Sequence, residues 1–430
     1  MRTHASKNIA NPKLFKQQLL TWSQSFREVA FLDSNDHNDL YSQYDCVLAV
    51  DAFTSLKTDY FNAFQDVKQY QQTAQDWLFG YLSYDLKNDV EVLYSANHDG
   101  LQFPDLFFFQ PKKLFLLKGN QLEVQYLMMC DDELEEDFEC IQKSTYIPQT
   151  ATDNSLTIQQ RINKEKYLAK VNSLLQLIHH GDIYEVNFCM EFYAENAVIN
   201  PLEKFLKLNQ ISEPPLAVFF KNKEHFLLSA SPERYVRKVG NQIISQPIKG
   251  TSKRFTQAEE DEKSKTNLHQ DPKERAENIM ITDLVRNDLS RTAEKGSVKV
   301  TELCGIYSFL QVHQMISTIT STLSQEYTAI DVLRTTFPMG SMTGAPKISA
   351  LKIIEDFEES KRGLYSGAVG YFSPQGDFDF NVVIRSILYN KEKKYVSFSV
   401  GSAITSLSEP EKEYEECMLK AQAMFEVLQK

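Results

Sequence analysis

The sequence predicts a mixed α/β (α+β) fold. Strand-like runs bounded by polar or glycine turns recur through the 430 residues. Between them lie segments of ten or more residues whose apolar side chains recur at helical spacing. The chain is 42% hydrophobic and 12% aromatic. That composition is sufficient for a large buried core, so an intrinsically disordered protein is excluded.

The first 150 residues carry short β-like runs but no dense motif. The clearest runs are Cys46 to Val50 and Leu114 to Leu117. An acidic stretch, Asp131 to Glu139, and a polar run, Thr150 to Ser155, indicate a surface linker and the best candidate boundary. We therefore expect residues 1–150 to form the N-terminal part of the fold and a candidate location for a regulatory pocket. Residues 151–430 would then carry the functional motifs.

The second part of the chain alternates helices and strands. Apolar spacing from Ile162 to His180, followed by Gly181, predicts a helix that leads into GDIYEVNF. The charged segment Thr256 to His269 has little apolar periodicity, so we expect a mobile loop there. Asp271-Pro272 then starts a new helix. The other expected helices are 329–337, 346–357 and 410–428, and the expected strands are 216–220, 226–230, 235–239, 242–245, 364–372, 377–388 and 394–400.

Composition also excludes several classes of function. The net charge of −12 disfavours binding to nucleic acid or to an anionic membrane. We find no apolar run long enough to span a bilayer and no apolar core of a signal peptide near the N-terminus. The six cysteines have no zinc-like spacing. We expect a cytoplasmic protein that binds neither nucleic acid nor a membrane.

Two pairs of glutamates stand out in predicted helices. Glu274 and Glu277 are three residues apart, as are Glu413 and Glu416, so each pair shares one helix face. If both faces line one cavity, four carboxylates require a hard divalent cation, and oxygen-only ligands favour Mg²⁺. From the spacing alone a solvated acidic helix face is the commoner explanation, because exposed glutamates at helical spacing are frequent.

Other polar residues interrupt apolar surroundings. Lys249 lies in QPIKGT, and a desolvated lysine can lose its proton and act as a nucleophile, although most lysines are simply solvated. Glu233, His313 and Arg385 lie within strand-like runs. They indicate either a lined cavity or buried structural hydrogen bonds.

Six motifs occur in order: GDIYEVNF, SPERY, PIKGT, KERAENIMITDLVRNDLSR, GSMTGAPK and PEKEYEE. Together they resemble the signature of the chorismate-utilising enzymes, a family that includes anthranilate synthase component I, aminodeoxychorismate synthase component I, isochorismate synthase and salicylate synthase. The resemblance runs from about residue 160 to the C-terminus, and FLDSNDHNDLYSQYDCVLAV extends it to the N-terminal part. It implies an anthranilate synthase component I-like fold, with large β-sheets forming a sandwich flanked by helices. Residues 151–430 would be the chorismate-binding catalytic domain.

The resemblance also assigns roles to individual residues. Glu277 and Glu416 would be the closest Mg²⁺ ligands, with Glu274 and Glu413 nearby or bound through water. Glu233 would be the general acid that protonates the departing C4 hydroxyl, a role that requires a carboxyl group still protonated at neutral pH. The substrate would be bound by Arg385, Lys420, the backbone at Gly401, Thr343, His313 and Gln314.

Position 249 separates members of the family, because anthranilate synthases have PIAGT and aminodeoxychorismate synthases have the lysine. The resemblance therefore implies conversion of chorismate and ammonia to 4-amino-4-deoxychorismate for para-aminobenzoate and folate synthesis. Lys249 would attack C2, so we expect its pKa to be lowered. No cysteine lies in a GxCxG-like turn, so ammonia would come from a separate glutamine amidotransferase subunit. The alternatives are anthranilate synthase component I and an inactive relative that binds a ligand or a partner.

The chain departs from the family pattern at a few positions. Glu185 stands where the family usually has glutamine and where isochorismate and salicylate synthases have a catalytic lysine. Gln314, rather than a histidine, stands three residues before Ser317. Ala403 replaces a glycine, and Leu407 replaces an aspartate.

Overall fold

The computed structural model describes residues 1–37, 40–147, 156–310 and 312–429. The strands in these ranges are Arg2–Asn8 (β1), Glu28–Asp33 (β2), Cys46–Thr58 (β3), Leu78–Leu82 (β4), Leu106–Lys118 (β5), Gln121–Leu127 (β6), Gln159–Gln160 (β7), Glu185–Ala194 (β8), Leu216–Asn222 (β9), His225–Ser231 (β10), Arg234–Val239 (β11), Gln242–Ser245 (β12), Ile248–Lys253 (β13), Lys299–Ser308 (β14), Val312–Thr322 (β15), Gly344–Ala345 (β16), Ala368–Phe372 (β17), Phe378–Val382 (β18), Ser386–Asn390 (β19) and Tyr395–Thr405 (β20). The helices are Pro12–Trp22 (α1), Ala63–Ala74 (α2), Lys87–Val90 (α3), Leu134–Lys143 (α4), Lys164–His180 (α5), Pro201–Ser212 (α6), Ala258–Gln270 (α7), Pro272–Ser290 (α8), Ala329–Thr336 (α9), Lys347–Phe357 (α10) and Pro410–Gln429 (α11).

The strands form a sandwich, and β5 shows its layers. Side chains alternate along a strand. Phe107 and Phe109 therefore point into an inner core built from strands and loops, whereas Phe108 points to an outer core that includes α2, α8 and α9. Phe115, further along β5, belongs to a second outer core that includes α1, α5, α6 and α11. Helices thus cover both outer faces of the sheets, which confirms the predicted mixed α/β fold and the sandwich flanked by helices.

The N-terminal and C-terminal parts of the chain share one connected network of antiparallel strands. β2 pairs with β9, and β4 pairs with β17. The expected boundary at residues 150–151 lies outside the described residues. None of the helices in the described ranges combines the length and the apolar character needed to cross a bilayer.

Two segments that were expected to be irregular are helical. The acidic stretch, expected to be a linker, forms α4, because Leu134 and Ile141 give it a buried apolar side that packs near α1. The segment expected to be a mobile loop forms α7, although only Leu268 of this helix is buried. Asp261 anchors α7 by accepting hydrogen bonds from Arg254 Nε at 2.9 Å and by contacting His313 Nε2 at 3.1 Å. Because polar contacts rather than a row of buried apolar side chains hold this helix, the sequence shows no apolar residues at helical spacing there.

The expected strand from Asp377 to Leu388 is interrupted. It splits into β18 and β19, and the break contains Arg385 in the left-handed region at φ 52°. A non-glycine residue rarely adopts this conformation. The break removes Arg385 from the regular alternation of the strands and places it beside the cavity described next.

Candidate active site

A cavity of about 770 Å³ opens between β13, β20, α8 and α11. It contains ten of the twelve site residues predicted from the sequence. These are Glu233, Lys249, Glu274, Glu277, Gln314, Arg385, Gly401, Glu413, Glu416 and Lys420. The cavity thus gathers residues that are up to 187 positions apart in the chain, which supports the interpretation of the motifs as parts of one site.

The two glutamate pairs line the same cavity because two helices run along it. Asp271 caps the start of α8 by accepting hydrogen bonds from the backbone N–H groups of Lys273 and Glu274. Lys273 Nζ lies 3.4 Å from Glu413 Oε1 on α11 and 3.8 Å from Glu277 Oε1 on its own helix. The ammonium group of Lys273 therefore bridges the acidic faces of α8 and α11.

Burial and mutual repulsion alter the acidity of these carboxyl groups. Burial raises the pKa of Glu277 to about 7, against the opposing charges of Lys249 and Lys273. Burial and the charge of Glu416 also raise the pKa of Glu274. Burial opposes ionisation of Glu416 too, yet the ammonium group of Lys420 at 2.5 Å lowers its pKa overall.

Carboxylate oxygens are suitable ligands for a hard cation, but these glutamate side chains are not arranged around a common binding point. Among the described residues, no three His, Cys, Asp or Glu side chains are arranged so that they could hold a metal ion. However, Glu277 Oε1 is buried without a hydrogen-bond partner. Only charges at a longer distance, such as the Lys273 ammonium group at 3.8 Å, offset the lost hydration of this oxygen, and Mg²⁺ prefers carboxylate oxygens.

Lys249 forms a buried ion pair. Its Nζ donates a hydrogen bond to Glu185 Oε1 at 2.9 Å, and the Glu185 side chain is 1% exposed. Burial alone would lower the pKa of Lys249, but the charges of Glu185 and Glu277 outweigh burial and raise the pKa. The expectation of a lowered pKa was therefore wrong, because the sequence did not show that Glu185 faces this lysine.

Glu233 has the acidity that a general acid requires. It follows β10 in a fully buried position and accepts a hydrogen bond from Ser341 Oγ at 2.6 Å. Burial raises the pKa of Glu233 to about 7, while the Ser341 hydrogen bond and the charge of Lys249 oppose the shift. The raised pKa favours the protonated form of the Glu233 carboxyl group more than in an exposed glutamate, which suits a proton donor near neutral pH.

Groups suited to anions also line the cavity. Arg385 donates a hydrogen bond through Nη1 to the carbonyl oxygen of Lys420 at 3.3 Å, and it makes no ion pair with any described residue. Burial lowers the pKa of Arg385. Lys420 Nζ donates to the carbonyl oxygen of Gly401 at 2.9 Å. A Cβ at Gly401 would lie 2.5 Å from Cys189 Sγ, so the glycine is needed for close packing of β20 on β8.

Two predicted site residues, His313 and Thr343, do not line the cavity. His313 precedes Gln314 in β15 and points to the other face, where it contacts Ser308 Oγ at 2.8 Å and the α7 anchor Asp261. Thr343 is fully buried, and its hydroxyl donates to the carbonyl oxygens of the preceding turn. Consecutive side chains of a strand point to opposite faces, so His313 and Gln314 could not both face the cavity. The alternation along β15 was the sequence signal that could have shown this.

The sequence interpretation also missed residues that belong to the site. Asn187, Ser341 and Tyr365 line the cavity. Glu185, which the sequence showed only as a departure from the family pattern, contacts Lys249. Asn187 and Glu185 are two residues apart on β8, and such a spacing puts both on one strand face. The fold, the buried cations and a carboxyl group with a raised pKa are typical of an enzyme site for a small anionic substrate.

Comparisons with known proteins identify the family. A profile of the chorismate binding enzymes matches residues 21–426. The chain is 33% identical over 356 residues to aminodeoxychorismate synthase component 1 of Escherichia coli, covering 83% of this chain and 78% of that protein. It is 35% identical over 389 residues to the probable chloroplastic aminodeoxychorismate synthase of Oryza sativa subsp. japonica, covering 81% of this chain. The chain spans only 43% of the length of that rice protein.

Other relatives are anthranilate synthases and isochorismate synthases. Anthranilate synthase component 1 of Thermus thermophilus is 32% identical over 357 residues, covering 81% of this chain and 77% of that protein. Among solved structures, anthranilate synthase component I from Streptococcus pneumoniae aligns with a TM-score of 0.76 at 25% identity, covering 90% of this chain and 93% of that chain. The menaquinone-specific isochorismate synthase from Escherichia coli has the same TM-score at 16% identity, covering 100% and 95%, and shows the shared fold alone. The chain belongs to the family of chorismate binding enzymes.

Proposed function

We propose that the chain is the chorismate-aminating component of aminodeoxychorismate synthase. It would convert chorismate and ammonia to 4-amino-4-deoxychorismate, the precursor of para-aminobenzoate and folate. The names of the relatives in Escherichia coli and rice support this proposal. The main observation in its favour is the position of Lys249 in the cavity. Glu233, whose pKa is raised, lines the same cavity.

Chorismate carries two carboxylates, and the cavity offers cations for both. Arg385 has no carboxylate partner among the described residues, so its guanidinium is free to bind a carboxylate in a bidentate manner. Lys420 lies beside it and holds the backbone at Gly401. Gln314 Oε1 is buried without a hydrogen-bond partner and could accept a hydrogen bond from the substrate.

We further propose that Mg²⁺ is the cofactor. Glu277 and Glu416 would hold it most closely, with Glu274 and Glu413 nearby. When bound, Mg²⁺ would neutralise these glutamates and supply positive charge for the ring carboxylate of chorismate. Glu277 Oε1 has no hydrogen-bond partner, and the pKa values of Glu274 and Glu277 are raised although Lys273 lies nearby; both observations support a further cation at this point.

The residues of the chain would then catalyse amination in two displacements. The neutral amine of Lys249 forms a bond to C2 of chorismate, the two ring double bonds shift, and the C4–O bond breaks. Glu233 gives its proton to the departing hydroxyl, which leaves as water. Ammonia next forms a bond to C4, the double bonds shift back, and the C2–N bond to Lys249 breaks. The Glu233 carboxylate takes the surplus proton from the new amino group, so the enzyme is regenerated.

The proposal includes a partner and a compartment. Ammonia would be delivered by a separate glutamine amidotransferase subunit, giving a heterodimer. The only exposed cysteine of the described residues is Cys140, which lies on α4 rather than in a nucleophile turn. All six cysteines are unpaired, which supports a location in the reducing cytoplasm.

We also propose that the N-terminal part of the fold, residues 1–150, contributes a regulatory pocket next to the catalytic domain, residues 151–430. A small cavity of about 50 Å³ lies between β2, β3, β9 and β17 and includes Asp33, Tyr44 and Tyr371. It has room for about one or two water molecules, so a regulatory ligand would have to displace its walls.

Anthranilate synthase component I is the second candidate, and the Thermus thermophilus relative favours it. Product analysis separates the two. The purified chain is incubated with chorismate, Mg²⁺ and an ammonium salt, and the products are identified by mass spectrometry. We expect 4-amino-4-deoxychorismate from the parent and none from Lys249→Ala. Release of anthranilate and pyruvate would show that the anthranilate synthase assignment is correct, and no consumption of chorismate would indicate an inactive relative.

A further inference from the structure

The contacts of Lys249 pose a chemical problem for the proposed function. The attack on C2 needs a neutral amine, yet the carboxylates around Lys249 raise its pKa. These carboxylates belong to four separate segments of the chain. Glu185 lies on β8, Glu233 follows β10, Glu277 lies on α8 and Glu416 lies on α11. A proton must therefore leave Lys249 before or during the formation of the C2–N bond.

Glu185 is placed to take that proton. Within the described part of the chain, its Oε1 is the only hydrogen-bond acceptor found for Lys249 Nζ, at 2.9 Å. The second oxygen, Oε2, is buried and has no hydrogen-bond partner. Glu185 is the first residue of β8 and pairs with Ala345 of β16, and its backbone lies so close to Gly344 that a Cβ there would be 2.2 Å from the Glu185 carbonyl oxygen. The backbone that carries this carboxylate is therefore fixed.

We propose, on the basis of the proposed function, that Glu185 is the proton acceptor for Lys249. One N–H bond of the ammonium group breaks, the proton forms an O–H bond with Glu185, and the freed electron pair forms the bond to C2. When ammonia later displaces Lys249 from C2, the lysine leaves as an amine and recovers its proton from Glu185. No proton needs to be exchanged with solvent while the substrate fills the cavity.

The ion pair also accounts for the tolerance of a glutamate in the site. A lone buried carboxylate next to an anionic substrate would be costly, but the pair of Glu185 and Lys249 has no net charge. Transfer of the proton turns two buried ions into two neutral groups. This loss of charge is less unfavourable for buried side chains than for groups in water.

The test measures formation of the lysine adduct. Excess enzyme with Mg²⁺ is mixed with chorismate in the absence of ammonia, quenched at times from milliseconds to minutes, and analysed by intact-protein mass spectrometry. The adduct has the mass of the protein plus chorismate less one water. The rate is measured from about pH 6.5 to pH 9.5 for the parent, Glu185→Gln, Glu185→Asp and the matched control Glu191→Gln. Glu191 lies on the same strand and is buried, but it pairs with Arg161.

We expect Glu185→Gln to form the adduct about tenfold or more slowly near pH 7, with a rate that rises about tenfold per pH unit because the proton must go to solvent. The parent, Glu185→Asp and Glu191→Gln should lack this steep rise. Chorismate affinity should stay the same or increase in Glu185→Gln, since a negative charge is lost, whereas a merely damaged site would bind more weakly.

Two results would overturn the role of Glu185. One is adduct formation by Glu185→Gln at the rate of the parent or faster, which would mean that burial alone keeps Lys249 neutral. The other is a steep pH dependence in Glu185→Asp as well. The proposed function is judged separately, because the products of the parent with ammonia either include 4-amino-4-deoxychorismate or do not.

Discussion

The substitution Glu233→Gln should separate the catalytic and the structural consequences of one buried carboxyl group. Burial raises its pKa from 4.5 to about 7. The folded protein therefore binds this proton more tightly than the unfolded chain, and the ionised form is disfavoured in the fold. Ionisation of Glu233 lowers the free energy of unfolding. This loss is absent below about pH 4.5, grows as the pH rises, and is complete above about pH 7. At about 1.4 kcal/mol per pKa unit, it reaches roughly 3 kcal/mol.

Glutamine removes this cost because it cannot ionise. Its carbonyl oxygen can keep the hydrogen bond from Ser341, while its amide nitrogen without a partner costs about 1–3 kcal/mol at every pH. The amide penalty does not depend on pH, whereas the ionisation penalty of the parent does. The test is therefore to measure the free energy of unfolding of variant and parent at several pH values and to follow their difference. We expect the variant to gain roughly 2–3 kcal/mol on the parent between about pH 5 and pH 8.5. Its turnover should fall by about 10²–10⁴-fold.

Urea titrations followed by tryptophan fluorescence measure that difference across the pH range. Glu191→Gln serves as a control, since its carboxylate is paired with Arg161 and accepts a hydrogen bond from Tyr395. That control should show no gain in stability with rising pH. A difference between Glu233→Gln and the parent that stays constant from pH 5 to pH 8.5 would refute the raised acidity of Glu233. Normal turnover by the variant would refute its role as the acid.

Four further predictions use the same cavity. Glu277→Gln should lose most of its turnover, and excess chelator should do the same to the parent; undiminished turnover in either case would contradict the Mg²⁺ assignment. The purified chain should use ammonia but not glutamine, and addition of a glutamine amidotransferase should restore glutamine use; glutamine-dependent turnover by the chain alone would reveal a second site. Lys273→Met should bind Mg²⁺ about threefold more tightly, because the ammonium group that competes for Glu277 and Glu413 is lost. Calorimetry measures this affinity, and unchanged or weaker binding would contradict the competition. Arg385→Gln should weaken chorismate binding by about tenfold or more, since a desolvated charge-assisted hydrogen bond is lost; unchanged affinity would exclude it from substrate binding.

The sequence predicted those features that depend on local patterns. The members of each glutamate pair face the same cavity because residues three apart lie on one face of a helix. Asp271 begins α8 and Gly181 ends α5, as expected. The β9 to β12 strands also lie where alternation and turns placed them. These features are set by neighbours along the chain, so a single sequence contains the information.

Features that depend on contacts between distant segments could not be predicted in this way. The partner of Lys249 is 64 positions away, and the sign of its pKa shift follows from that partner. The charged helix α7 is held by Asp261 through contacts with Arg254 and His313. The turn at Arg385 interrupts an otherwise strand-like run, because the surrounding packing holds a backbone conformation that its own sequence does not favour.

The pairing of early strands with late ones affects how the chain can fold during synthesis. One edge of β4 pairs with β17, and nearly 290 positions separate Leu82 from Ala368. At about 5–20 residues per second, the ribosome makes the second strand roughly 15–60 s after the first. During that interval the edge of β4, with Phe79 and Tyr81 along it, has no native partner on that side. A nascent chain with such a hydrophobic edge is open to wrong pairing, and a chaperone that binds it would protect the strand until β17 emerges.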